Sequence, residues 1–167
     1  MSRFNNLRYC SADGFEAPVD PSNPDNPLTG QTETARRVFD ARNRRIRWEF
    51  NGVPREFCPR YGWAALDPSS DLMVVSVGSE DLPWPNNGLV INPDGTTNHQ
   101  IVVPRYVEKV VETWRPATLY LVEAIDSARQ VNGRIAIDLN FSYEWIERRY
   151  YDPSTREWQE RDSIYRK

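Results

Sequence analysis

Hydrophobic and polar residues alternate with period two along much of this chain, and short turn-forming clusters separate the alternating runs. Ile46, Trp48 and Phe50 interleave with Arg45, Arg47 and Glu49, while Ile135, Ile137, Leu139 and Phe141 interleave with Ala136, Asp138, Asn140 and Ser142. Successive side chains of a strand point to opposite faces, so these runs predict strands with one buried face. Leu72-Met73-Val74-Val75-Ser76-Val77 breaks the alternation. It is apolar almost throughout and predicts a central strand covered on both faces.

The punctuation is that of antiparallel pairs. A hairpin-like unit of two apolar residues, an Asp or Asn, turn formers and a return into extended sequence occurs at Val38–Trp48, Val90–Thr96 and Tyr150–Trp158. Asp and Asn bond the backbone just ahead of them, Pro presets φ, and Gly or Asn accepts positive φ. Asn51-Gly52 and Asn132-Gly133 are two-residue hairpin signals. Strands are therefore expected over 35–41, 44–50, 53–58, 71–78, 88–92, 100–103, 117–125, 134–143, 143–151 and 157–165. Pro54 cannot donate to a ladder, which puts the 53–58 strand at an edge. Over 104–115, Val107, Val110, Val111 and Trp114 fit one helical face behind Pro104, so a short helix is expected there against the β context.

These elements add up to an all-β protein of mainly antiparallel meanders, with at most one or two short helices. Each meander buries one face, so the sheets must pack on one another as a sandwich or a strongly curved sheet. A propeller-like stack competes, although the three hairpin units are unevenly spaced. Residues 11–34 are rich in Pro, Asp, Asn and Ser, with Pro18, Pro21, Pro24 and Pro27 at every third position. Residues 1–34 read as an extended N-terminal segment, and 35–167 as a single antiparallel β domain whose regular structure begins near Thr34.

Composition narrows the chemistry. Aromatics make up 12% of the chain, too many for a disordered segment and typical of sheet faces. No apolar run is long enough to span a membrane, and Met1–Asn6 opens no signal-peptide core, so a cytoplasmic location is expected. Cys10 and Cys58 are far apart and read as reduced. His99 is the only histidine, which leaves no transition-metal ligand set, and it reads as a satisfied strand residue rather than a catalytic relay. No phosphate loop or nucleophile elbow is present. No catalytic residue, metal or cofactor is therefore assigned.

Charge is segregated. Residues 35–60 carry eight arginines against three acids, whereas 61–104 carry five acids and no Lys or Arg. Arg45 and Arg47 alternate with apolar residues, as on a solvated strand face, so nucleic acid is not the expected partner. Within the acidic stretch, Ser79–Asn87 is too rich in proline for helix or strand. It sets Glu80 and Asp81 ahead of Trp84, which stands between Pro83 and Pro85. A rigid loop with an aromatic anchor suits a protein interface. The plain alternative is a tight connection whose Trp84 folds back on the core.

The run Asp71–Gly78 followed by Pro85–Gly95 resembles small bacterial β-rich proteins of the immunity type, which neutralise polymorphic or secreted toxins by direct binding. That resemblance implies a non-catalytic inhibitor and carries no residue roles. The expectation is a protein-binding module whose Glu80, Asp81 and Trp84 meet a basic surface, such as that of a cognate toxin. Two alternatives stand beside it. One is an enzyme using carboxylates from Asp71, Glu80, Asp81 or Asp94. The other is a carbohydrate-binding or structural β module using exposed Trp and Tyr.

Overall fold

A computed structural model describes residues 3–19, 45–58, 62–110 and 116–167, and its regular structure is entirely strand. The first sheet holds β1 (Asn5–Cys10), β2 (Glu16–Pro18), β3 (Arg45–Phe50) and β4 (Val53–Phe57), in the order β2-β1-β3-β4. A middle sheet runs consecutively through β5 (Gly62–Asp67), β6 (Leu72–Val77), β7 (Gly88–Ile91) and β8 (Thr97–Ile101). The third contains β9 (Tyr106–Lys109), β10 (Thr118–Val131), β11 (Arg134–Phe141), β12 (Trp145–Asp152) and β13 (Glu157–Arg166), ordered β13-β12-β11-β10-β9. Neighbouring strands pair antiparallel throughout.

The sheets stack through two cores, with the middle sheet serving both. Met73, Val75 and Val77 of β6 join Tyr9, Ile46 and Trp48 of the first sheet in one core. Val74, with Val90 and Ile101, joins Ile125, Ile137 and Leu139 of the third sheet in the other. This is why the β6 sequence shows no polar face: both faces are covered. Trp48 also donates its Nε1 hydrogen to the Pro93 carbonyl at 2.7 Å, tying the first sheet to the β7–β8 turn. The turn chemistry holds as read. Asn51 and Gly52 take φ of 52° and 74°, and Asn132 and Gly133 take 51° and 75°, the positive values a two-residue hairpin demands. β4, with Pro54, is an edge strand.

Two expectations are corrected. The helix over 105–115 is replaced by β9, which pairs Tyr106–Lys109 against Thr118–Leu121. Val107 is buried between exposed Tyr106 and Glu108, a period of two, because the open edge of β10 offers ladder bonds to a β-branched segment. Residues 111–115 lie outside the described residues. Regular structure also begins at Asn5 rather than near Thr34. Leu7 and Tyr9 alternate with exposed Arg8, and β1 takes an interior place between β2 and β3. The strand expected over 35–41, the start of the first hairpin unit and the Pro21–Pro27 run lie outside the described residues.

Candidate binding cleft

The connection from β6 to β7 is held rigidly at its base. Gly78 accepts backbone hydrogen bonds from Asp81 and Leu82, and Leu82 packs on the first core. At the other end stands Asn87, only 2% exposed. Its amide donates to the Val77 carbonyl at 2.7 Å and to the Ile125 carbonyl at 2.9 Å, while its Oδ1 accepts from the Ile125 N–H at 2.7 Å. Asn87 thus pairs with Ile125 as a neighbouring strand would, where β9 no longer covers β10. Gly88 permits the approach: a Cβ there would stand 2.6 Å from Ile125 Cδ1.

Ile125 lies between two irregularities of β10. The register against β11 steps from Val122 to Ala124 and again from Ile125 to Ser127, so Glu123 and Asp126 are the extra residues of two bulges. A bulge re-aims the residue it leaves without a cross-strand partner. Both carboxylates line a cleft of about 370 Å³ between β10 and the 78–87 loop. Glu80 and Trp84 form the loop side, and Trp63 adds a second indole. Trp84 is 59% exposed, so it does not fold back on the core.

The cleft is acidic, with one cation among its described lining residues. Lys167 Nζ pairs with Asp126, and the Lys167 backbone N–H is held by the Glu144 carbonyl at 2.7 Å. Glu123 accepts a 3.3 Å bond from the Tyr143 N–H and has no ion-pair partner among the described residues. Two further polar atoms, Ser76 Oγ and Asn140 Oδ1, are buried in the cleft lining without a hydrogen-bond partner among the described residues. The lining carboxylates do not gather as metal ligands would: no group of three His, Cys, Asp or Glu among the described residues is so arranged.

Of the residues singled out by sequence, Glu80 and Trp84 reach the cleft together, whereas Asp81 is exposed outside its lining. The other carboxylates considered for catalysis are employed locally. Asp71 binds Arg3 through a 2.7 Å bond from Nε, and Asp94 closes its turn on the Thr96 N–H at 2.9 Å. The Thr96 bonds hold the Asp94 carboxyl below its usual range. Arg45 and Arg47 pair with Glu56, and Arg47 also with Glu16. His99, on β8, contacts the Tyr151 hydroxyl and Asn98 Oδ1, each at 2.8 Å, and burial lowers its pKa. Sequence reasoning missed Glu123, Asp126 and Asn87. Two acids three apart, in the mostly apolar run from Leu119 to Ile125 and just beyond it, are the one signal that a disturbed alternation was there to find.

A different kind of polar site lies in the same sheet. Asp138, 1% exposed, receives Arg148 Nε at 2.9 Å, Arg129 Nη2 at 2.9 Å and the hydroxyls of Ser127 and Tyr165, both at 2.9 Å. Burial works to lower the Arg148 pKa, but the Asp138 bonds and charge outweigh it and the net shift is upward. Glu147, fully buried, meets Arg149 and Arg161 at 2.6 and 2.7 Å.

Compared with protein-family models, curated proteins and solved structures, the chain matches none of them. The geometry alone defines the class to which the site belongs: an all-β scaffold with an acidic, aromatic cleft at an uncovered strand edge.

Proposed function

We propose that this protein is a non-catalytic binding module that recognises a protein partner with a basic surface through the face bearing Glu80, Asp81 and Trp84. The observation that carries the reading is the gathering of Glu123 and Asp126, from the two β10 bulges, around the same cleft as Glu80 and the exposed Trp84. An acidic rim speeds encounter with a basic partner, and an exposed indole supplies contact area. In its narrower form, the proposal is an immunity-type inhibitor that occludes a toxin by direct binding.

A second reading has its own support. A cleft lined by several carboxylates and two indoles also suits a carbohydrate, bound or cleaved. One experiment separates the two. The protein is immobilised against host lysate, and captured proteins are ranked by their loss from the double variant Glu80→Lys, Asp81→Lys. The binding reading expects a basic protein whose association slows in the variant and loses its salt dependence. A partner whose association is indifferent to both substitutions, or turnover of an oligosaccharide by the purified chain, overturns it.

A further inference from the structure

We infer that the cleft receives a single arginine side chain of the protein partner, its guanidinium set against Glu123 and Asp126 with Trp84 beside it. The inference rests on the binding reading for the identity of what carries the arginine, and it goes further by naming the group the cleft selects.

Three independent observations converge on that group. The first is desolvated polarity. Ser76 is 3% exposed and shares the β10-facing side of β6 with Val74, yet its Oγ has no hydrogen-bond partner among the described residues. Asn140 Oδ1, on β11 opposite Ala124, is in the same condition. A buried polar atom left unpaired costs about 1–3 kcal/mol, and two of them at one cleft mark a place where a donor-bearing ligand gains more than it would elsewhere. The second is charge: Glu123 and Asp126 line the cleft, and among the described residues Lys167, paired with Asp126, is the one cation in that lining. The third is the indole of Trp84, on whose face a flat cation is held by the ring quadrupole.

Arginine fits these better than its competitors. The acceptors sit on three different strands, β6, β10 and β11, and the guanidinium offers five hydrogens in a fixed plane, whereas an ammonium offers three from one point. Guanidinium is also the more weakly hydrated cation, so it enters a partly buried site at lower cost. A neutral sugar would stack on the indole but leave Glu123 without a counter-ion. Lys167 acts as an internal competitor, since its ammonium already occupies Asp126. Removing that ammonium should therefore improve binding of an external cation, a sign that neither a sugar site nor a purely structural cluster predicts.

The test titrates the full chain with N-acetyl-arginine methylamide, N-acetyl-lysine methylamide and cellobiose, followed by calorimetry and tryptophan fluorescence. The arginine amide should bind at least about tenfold more tightly than the lysine amide, reflecting paired charge-assisted bonds. Glu123→Gln with Asp126→Asn should weaken it by about tenfold or more, and Lys167→Gln should tighten it by roughly threefold. Unfolding midpoints of all variants are measured alongside, so that a collapsed cleft is recognised and the single variants are then used instead. Arginine amide that binds no better than cellobiose, or a Lys167→Gln variant that binds it less well, overturns the inference. Asp81, outside the cleft, keeps the two readings apart. If Asp81→Lys slows association with a basic partner while arginine amide fails to bind, this inference falls and the binding reading stands. If arginine amide binds as expected and no basic partner responds to Glu80→Lys with Asp81→Lys, the binding reading falls instead.

Discussion

Asp138 and the pair Glu123/Asp126 are carboxylates on adjoining strands of one sheet, placed in opposite circumstances. Asp138 sits in regular ladder with β12, directly across from Arg148, and the pairing supplies its cation automatically. Ser127, Arg129 and Tyr165 complete its shell, so every bond it needs comes from the fold. Glu123 and Asp126 are the extra residues of bulges and have nothing opposite them on β11. What a regular register satisfies internally, a bulge releases toward solvent and toward a ligand. The same side-chain chemistry thus serves stability at one place and recognition at the other, and the backbone register decides which.

The sharpest way to break that contrast is Asp138→Asn. It leaves Arg129 and Arg148 partly buried without their anion, a situation that typically costs about 3–5 kcal/mol. Equilibrium denaturation in urea should show a loss of this size, whereas Glu123→Gln should stay within roughly 0.5 kcal/mol of the parent protein. Equal losses in the two variants would erase the distinction between them.

Next in size is Asn87→Ala, which removes three hydrogen bonds and leaves the Ile125 N–H and two carbonyls without them. The expected cost is about 2–3 kcal/mol, set by buried groups left unpaired. Amide exchange at Ile125 should accelerate, because the uncovered edge of β10 then has no pairing partner. Unchanged exchange there would mean that Asn87 does not hold the cleft wall.

The smallest expected effect concerns protons. Burial first, and then the Asp138 charge, push the Tyr165 hydroxyl up to about 12. A phenol whose folded pKa is raised favours the fold while it is neutral. Its contribution is complete below the ordinary tyrosine value of about 10 and is lost as pH rises through the folded value. Burial pushes Tyr151 up to about 12 as well, so ultraviolet titration should show late-ionising tyrosine absorbance of which Tyr165→Phe loses one residue's share. Ionisation of Tyr165 near 10 would show the Asp138 shell to be looser than described.

Much of this was legible in the chain. The strands β3, β4, β6, β7 and β10 to β13, the Asn-Gly turns, the edge place of Pro54 and the two-sided burial of β6 follow from period, turn chemistry and apolar runs, which are local properties. The 106–109 segment was not legible, because Val107, Val110 and Val111 satisfy a helical period as well, and only the open edge of β10 chose between them. β1 was overlooked for a similar reason: Leu7 and Tyr9 make too short an alternation to stand out without β3 beside them.

For the site, the sequence by itself determined a lysine-free and arginine-free acidic stretch with a proline-flanked Trp84, and it placed Glu80 and Trp84 together. The other wall was decided only by tertiary structure. A bulge is a mismatch between two strands, so neither strand's sequence contains it, and Glu123 and Asp126 acquire their common direction only once β10 is laid against β11. Asn87 meets Ile125 across 38 positions of sequence, and that single long-range contact turns an acidic loop into the side of a cleft.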